Sequence, residues 1–320
     1  MLDLVFMGTV EFATTSLRAV VAAGHRVQAV VTQPDRPRGR GMQPQPSSVK
    51  VAAVELGLPV LQPEKASEEG FVAELRNLAP QAIVVVAYGQ ILRPSVLEIP
   101  PLGCLNVHGS LLPELRGAAP IQWSILRGFS ETGVTTMYMD RGMDTGDMIL
   151  RAAMPIHPED TWGVLAERLG PLGAELLVRT LDLLEAGTAP REPQDPALAT
   201  YAPMLHREHG AVIWSEGARE IRNRIHGCNP APGAFALRGG RPVKLWRAEP
   251  APEFDQRAAS AAPGMVLETN GPVLATGSGA LRLLEVQPES RARVSGHEFS
   301  LGQRVQVGEV WGNGELTKGG

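Results

Sequence analysis

The stretch from Gln81 to Ala87 reads Q-A-I-V-V-V-A, a β-branched run in which apolar and polar residues do not alternate. A strand of that kind needs apolar cover on both faces, the condition met in parallel sheets sandwiched between helices. The surrounding pattern agrees. Leu2–Met7, His25–Thr32, Gly103–Val107, Thr132–Met139 and Met148–Met154 read as further strands. Helical spacing is expected from Gly8 to Ala23 and over Ser48–Leu56, Ser67–Leu78, Ala119–Arg127 and Thr161–Leu184. Strands alternating with helices predict an α/β domain with an open, mostly parallel, Rossmann-like sheet. Ligands of such sheets bind beyond the carboxyl ends of the strands.

Gly187–Met204 (G-T-A-P-R-E-P-Q-D-P-A-L-A-T-Y-A-P-M) is proline-rich and aperiodic, which predicts a linker over 188–204 between a domain at 1–187 and a second one at 205–320. The second part offers one helix, Gly217–His226, and short β-like runs at Val243–Trp246, Met265–Glu268, Val273–Ala275, Leu281–Val286 and Val305–Val310. A small β-barrel carrying one helix is expected, with Glu249–Pro263 as a loop within it.

Composition narrows the function classes. Cys104 and Cys228 are the only cysteines, too few for a disulfide framework or a zinc quartet, and no metal is expected. No apolar run reaches the ~18 residues of a membrane span. The beginning, M-L-D-L-V-F-M-G, reads as a first strand rather than a signal peptide, and a cytoplasmic location follows as the expectation. The net charge of −4 is uneven: 16 basic against 22 acidic residues over 1–203 gives −6, and 14 against 12 over 204–320 gives +2. A mildly basic second part suits a polyanionic partner. The turn after the first strand, G-T-V-E-F, has neither G-x-G-x-x-G nor a Walker A spacing, which argues against a dinucleotide or nucleoside triphosphate.

The chemistry-bearing stretch is N-V-H-G-S-L-L-P-E-L-R-G-A-A-P, Asn106–Pro120. Strand residues i and i+2 point the same way, about 6.6 Å apart, so Asn106 and His108 share one face while Val107 packs behind. A carboxamide N–H can steady a developing oxyanion and an imidazole can carry a proton near neutral pH. These are parts of an acyl or one-carbon transfer site. No Cys, Lys or Ser-His-Asp order supplies a nucleophile, so the substrate itself, for instance an amine, is expected to do so. The carboxylate partner of His108 is expected in the tight loop M-D-R-G-M-D-T-G-D, as Asp140, Asp144 or Asp147. Taken singly, each of these residues has a plain structural use as a cap, a turn former or a core histidine.

Those two stretches, with F-M-G-T-V-E-F-A, V-V-T-Q-P-D-R-P-R-G-R-G and V-V-V-A-Y-G-Q-I-L, strongly resemble the folate-dependent formyltransferases, in the branch whose acceptor is methionyl initiator tRNA. The resemblance covers nearly the whole chain. It implies transfer of the formyl group of 10-formyltetrahydrofolate to the methionine α-amine, with a C-terminal OB-like β-barrel that binds tRNA. It implies that Asn106, His108 and Asp144 are the catalytic trio. It implies a folate site lined by Ser110, Leu111, Leu112 and Pro113, by Val86, Tyr88 and Gly89, and by Asp140 and Gly142. Gln33–Lys50 matches the family's inserted loop that contacts tRNA, through Arg36, Arg38 and Arg40. That insert carries Arg36, Arg38, Arg40 and Lys50 against Asp35, a balance of +3. Methionyl initiator tRNA and the folate co-substrate are the expected partners of a chain expected to be monomeric. The helix A-R-E-I-R-N-R-I-H sets Ile221 and Ile225 on one face and Arg219 with Arg222 on another, a further stripe suited to an RNA backbone or to solvent.

Overall fold

The computed structural model describes residues 1–38 and 43–314. In chain order the elements are β1 (Asp3–Gly8), α1 (Glu11–Ala22), β2 (Arg26–Val31), β3 (Arg36–Arg38), β4 (Gln43–Gln45), α2 (Ser48–Glu55), β5 (Val60–Leu61), α3 (Glu69–Leu78), β6 (Ala82–Val86), α4 (Pro94–Leu97) and β7 (Cys104–His108). Next come α5 (Pro120–Leu126), β8 (Glu131–Tyr138), β9 (Met148–Pro155), α6 (Trp162–Glu185), α7 (Ala218–Gly227), β10 (Ala234–Arg238), β11 (Arg241–Pro250), α8 (Asp255–Ala258), β12 (Val266–Glu268), β13 (Val273–Ala275), β14 (Ala280–Pro288), β15 (Val294–Ser295) and α9 (Gly296–Gln303).

The chain divides into two compact units, the first made of Met1–Pro120, Thr132–Met154 and Ala166–Ala202. Its seven strands lie in the order β5-β2-β1-β6-β7-β8-β9. Pairing is parallel from β5 through β7 and turns antiparallel between β7 and β8. The unalternating run over 81–87 is explained by its neighbours. Ala82, Val84 and Val86 join Leu4, Phe6 and the buried faces of α1, α2 and α6, whereas Ile83 and Val85 join Val5, Met7 and residues of α3 and α4. Both faces are covered, so both parities must be apolar.

In β7 the same parity sends Leu105 and Val107 into the first of these cores and Cys104 into the second. Asn106 and His108 therefore share the parity of Cys104, at the strand's carboxyl end. Val107 does pack behind them, as the spacing required.

The second unit holds Ile121–Glu131, Pro155–Leu165 and Pro203–Gly320. Its antiparallel sheet runs β10-β11-β14-β13-β12, with β15 against β14. The final segment spans the two edges, since Val310 bridges Met265 beside β12 and Gly312 bridges Leu237 in β10. Ile221 and Ile225 of α7 fill the interior with Trp214 and Trp311, whose rings meet edge to face 6.4 Å apart.

Several expectations need correction. The insert at 33–50 is not loop throughout, because β3 and β4 pair antiparallel within it. Val305–Val310 forms an isolated bridge rather than a strand. The second unit carries α9 as well as α7. Its start is marked by a reciprocal cap between Ser295 and Glu298, a signal present in V-S-G-H-E. The strand β10, A-F-A-L-R, went unpredicted because its alanines carry little β preference. The stretch 249–263 contains α8 and the end of β11. Residues 188–202 pack within the first unit, where Glu192 bridges Met148 and Tyr201 bridges Arg116. Among the described residues no helix is long and apolar enough to cross a membrane.

Candidate active site

The register of β7 aligns Asn106 with Val85 of β6 and with Met137 of β8, and His108 with Thr135. Both side chains sit where the sheet's strands end. Asp144 comes to them from the loop between β8 and β9. Its backbone is left-handed, φ +54°, an uncommon conformation for a residue with a Cβ. Asn106 Nδ2 donates to Asp144 Oδ1 at 3.4 Å, and His108 Nδ1 lies 3.8 Å from Asp144 Oδ2. The same Oδ2 accepts from the backbone N–H of Gly117 at 2.8 Å. The other imidazole nitrogen, Nε2, is 2.9 Å from the carbonyl oxygen of Leu115. Each ring nitrogen therefore faces an oxygen. The imidazole is 5% exposed and the carboxylate 18%, so solvent reaches the pair from the carboxylate side.

Of the three aspartates proposed as partner, Asp144 alone reaches His108. Asp140 is exposed and closes its own loop, accepting from Gly142 N at 2.9 Å and from Thr145 Oγ1 at 2.7 Å. A Cβ on Gly142 would run into Thr145 Oγ1, so glycine is required there. Asp147 pairs with Arg191 at 3.6 Å.

The residues expected around folate are mostly spent on the scaffold. Ser110 donates to the carbonyl of Glu114 at 2.6 Å, while its own carbonyl accepts from Thr135 Oγ1 at 2.7 Å. Leu112 is buried with Met137 and Met148, and Leu111 and Pro113 are half-buried beside it. Val86 and the Tyr88 ring are core residues. The carbonyl of Tyr88 accepts from Thr9 Oγ1 at 2.8 Å, and Gly89 lies at φ +87°. Tyr88 and Gly89 contribute to a depression of about 290 Å³ whose walls also include Thr9, Gln33, Arg36 and Ala87.

Of the basic insert, Arg36 is exposed and 3.8 Å from Glu64. Arg38 stands in β3 by its backbone and its side chain is not described. Arg40 lies outside the described residues.

Cys104 is no nucleophile in waiting: burial pushes its thiol up to about 12, and Cys228 is likewise pushed up to about 11. That agrees with a nucleophile brought by the substrate.

Sequence reasoning passed over two residues at the site. Arg116 lies in P-E-L-R-G, and it is 5% exposed. Gln194 was counted into the linker, and it is 9% exposed. Arg116 Nε donates to Gln194 Oε1 at 3.0 Å, and Gln194 Nε2 donates to the carbonyls of Asp144 and Gly146, each at 2.8 Å. The one signal available was a buriable cation beside a glycine in a catalytic stretch. Nothing in Q-D-P announces the glutamine.

Comparison with known proteins bears on what such a site does. Residues 3–181 match the family described as Formyl transferase, and residues 204–304 match Formyl transferase, C-terminal domain. The methionyl-tRNA formyltransferase of Solibacter usitatus is 50% identical over 313 residues, covering 98% of this chain and 99% of that protein. That of Desulforamulus reducens is 48% identical over 312 residues, covering 97% of each.

Among solved structures, the N-formyltransferase of Helicobacter canadensis, in complex with folinic acid and dTDP-3-aminofucose, matches with a TM-score of 0.66 at 19% identity. The match covers 90% of this chain and 100% of that one. HypX of Aquifex aeolicus, in complex with tetrahydrofolic acid, matches with a TM-score of 0.64 at 17% identity over 96% of this chain. The chain spans 48% of HypX. At those identities the structural likeness is one of fold. The sequence matches carry further, since they span both parts of the chain and nearly its whole length: it belongs to the formyl transferase family.

Proposed function

We propose that the chain transfers the formyl group of 10-formyltetrahydrofolate to the α-amine of methionyl initiator tRNA, giving N-formylmethionyl-tRNA for translation initiation. The observation that carries the reading is the convergence of Asn106 and His108 on one carboxylate, Asp144. Full-length likeness at 50% identity to a protein named methionyl-tRNA formyltransferase selects the acceptor.

In this reading the lone pair of the uncharged amine attacks the formyl carbon, and the carbonyl oxygen gathers negative charge. Asn106 has two N–H donors on its carboxamide nitrogen. One is directed to Asp144, which fixes the plane of the amide and leaves the other for the oxyanion. Donors of this kind are worth about 3–4 kcal/mol of transition-state stabilisation. His108, with Nε2 on Leu115 O and Nδ1 3.8 Å from Asp144 Oδ2, stands on the same face as Asn106, beside the oxygen where that charge gathers. Collapse of the tetrahedral adduct breaks the bond from the formyl carbon to N10. The electron pair returns to N10, which takes a proton, and the new amide nitrogen loses one.

Folate binds, in the same reading, along Ser110–Pro113, Val86, Tyr88, Gly89, Asp140 and Gly142. Since the Ser110 and Asp140 side chains are hydrogen-bonded within the scaffold, backbone groups make most of the contacts there. Arg36, Arg38 and Arg40 meet the tRNA backbone. Residues 1–187, with the strip 192–202 packed among them, do the chemistry, 205–320 bind tRNA, and the protein works as a cytoplasmic monomer.

The protein is tested by incubation with 10-formyltetrahydrofolate and methionylated initiator tRNA, after which the esterified amino acid is released and analysed. N-formylmethionine is the expected product, with a methionylated elongator tRNA and an amino-sugar nucleotide as competing acceptors. Preferential formylation of the nucleotide sugar would replace the proposal.

A further inference from the structure

We propose that Gln194, oriented by Arg116, is the positioning residue that sets Asp144 for formyl transfer. The inference rests on the formyl-transfer reading above and deepens it, by making the proline-rich segment after α6 part of the active site.

Asp144 needs holding. A left-handed backbone in a residue with a Cβ costs on the order of 1–2 kcal/mol, and the carboxylate reaches Asn106 and His108 from this conformation. The clasp that Asp140 makes with Gly142 and Thr145 orders the loop ahead of Asp144. Gln194 acts on Asp144 itself. Both hydrogens of its amide nitrogen are used, one on the Asp144 carbonyl and one on that of Gly146, at 2.8 Å each. Its oxygen takes the Arg116 Nε–H at 3.0 Å. The flipped amide would aim an oxygen at two carbonyls and an NH2 at a guanidinium, so the orientation is determined. Arg116 is 5% exposed, and among the described residues no carboxylate pairs with it. A buried cation on the amide oxygen polarises the carboxamide and strengthens its N–H donors.

The clamp closes from the other end as well. Gly117, next in sequence to Arg116, donates its backbone N–H to Asp144 Oδ2 at 2.8 Å. Residues 116 and 117 thus govern both ends of one aspartate, the carbonyl through Gln194 and the carboxylate directly. What remains of the carboxylate is Oδ1 for Asn106 and a second direction of Oδ2 for His108. Arg116 in turn is tied by its backbone to Thr200 and Ala202, at 2.8 and 2.7 Å, so the clamp belongs to one strip of chain from 192 to 202.

Five variants of the full chain test this: Gln194→Ala, Gln194→Glu, Arg116→Lys, Asp144→Asn and the double variant Gln194→Ala/Asp144→Asn. Misplacement of a reacting group by ~1 Å costs about 10²-fold, so Gln194→Ala should lower kcat by about 10- to 100-fold. KM for either substrate should change less than about threefold. Gln194→Glu should do no better, because an ionised carboxylate has no hydrogen to give the two carbonyls, and Arg116→Lys should fall in between. The double variant should be no slower than Asp144→Asn alone, since Gln194 acts through Asp144. Hydrogen exchange should rise in Gln194→Ala at Gly117 and over 142–147 and stay unchanged in the central strands.

Near-normal kcat in Gln194→Ala, losses that multiply in the double variant, or unaltered exchange over 142–147 would each overturn the proposal. Should the parent protein fail to formylate methionyl-tRNA, the functional reading falls, and the exchange measurement still decides whether Gln194 holds Asp144.

Discussion

Asn106 illustrates how little a side chain has to do once its neighbours are set. Its carboxamide is tethered at 3.4 Å to a carboxylate that is itself held by the Gly117 N–H. In the proposed mechanism the unused N–H is therefore preorganised, and preorganisation is where electrostatic catalysis gains its advantage over water. Asn106→Ala should lower kcat by about 10²–10³-fold, the loss of one oxyanion donor of roughly 3–4 kcal/mol. KM for folate and for tRNA should move little, because the interaction forms only as the oxygen becomes charged. Steady-state kinetics in each substrate check this. A variant that kept near-normal turnover would remove Asn106 from the oxyanion role.

At the scale of elements, one turn serves three residues of the site. The segment 115–117 hands a carbonyl to His108, a side chain to Gln194 and an N–H to Asp144. It does so with Gly117 at φ +121°, where an added Cβ would stand 2.7 Å from the Ala202 carbonyl oxygen. Gly117→Ala should cost about 1–3 kcal/mol of stability from backbone strain alone. It should also slow turnover, since the displaced N–H is the one that holds Asp144. Thermal unfolding and kcat should fall together.

The helix α7 carries a different liability. His226 is 2% exposed, and its Nε2 accepts from the Ala248 N–H of β11 at 3.3 Å. Burial, with Arg222 and Arg247 adding repulsion against backbone bonding to Asp160 and Ala248, pushes it from 6.5 down to about 4. Between those values the unfolded chain binds a proton that the folded chain refuses, so stability falls as pH drops from 6.5 toward 4. The full effect is on the order of 3 kcal/mol. Denaturant unfolding at about pH 7 and about pH 4.5 should show the loss, and His226→Gln, which keeps an acceptor for Ala248, should reduce it.

For the whole molecule the telling quantity is charge. A chain of net −4 that binds a polyanion must concentrate its cations, and the sequence does so in the insert, at +3, and over 204–320, at +2. Each phosphate neutralised releases counterions, so KM for tRNA should rise steeply with salt while KM for folate changes far less. Replacing Arg36, Arg38 and Arg40 together by alanine should reduce the salt slope by about one unit for each phosphate left without its cation. An unchanged slope would take the insert out of the RNA interface.

Much of this was legible from the residues in order. Parity alone placed Asn106 and His108 on one face and Val107 behind them, and the β-branched run at 81–87 required a sheet with helices on both sides. Both are local statements about how consecutive side chains project, and they survive in any fold that keeps the strand. Whether Asp140, Asp144 or Asp147 meets His108 is not local. It depends on a left-handed backbone at Asp144, imposed by a turn 27 residues earlier and an amide 50 residues later.

The segment 188–204 shows the same limit from the other side. Prolines and missing periodicity say that a stretch is neither helix nor strand, and such a stretch can tether two bodies or line a site. Burial of Gln194 against two carbonyls is what separates the two, and burial is a property of the folded chain. The sequence by itself determined which chemical groups were at hand and which strand would carry them. Motif resemblance pointed to Asp144, but spacing left three carboxylates open. Which of them reaches His108 was decided by the tertiary structure, because hydrogen bonds between residues far apart in the chain exist only once packing has brought them together.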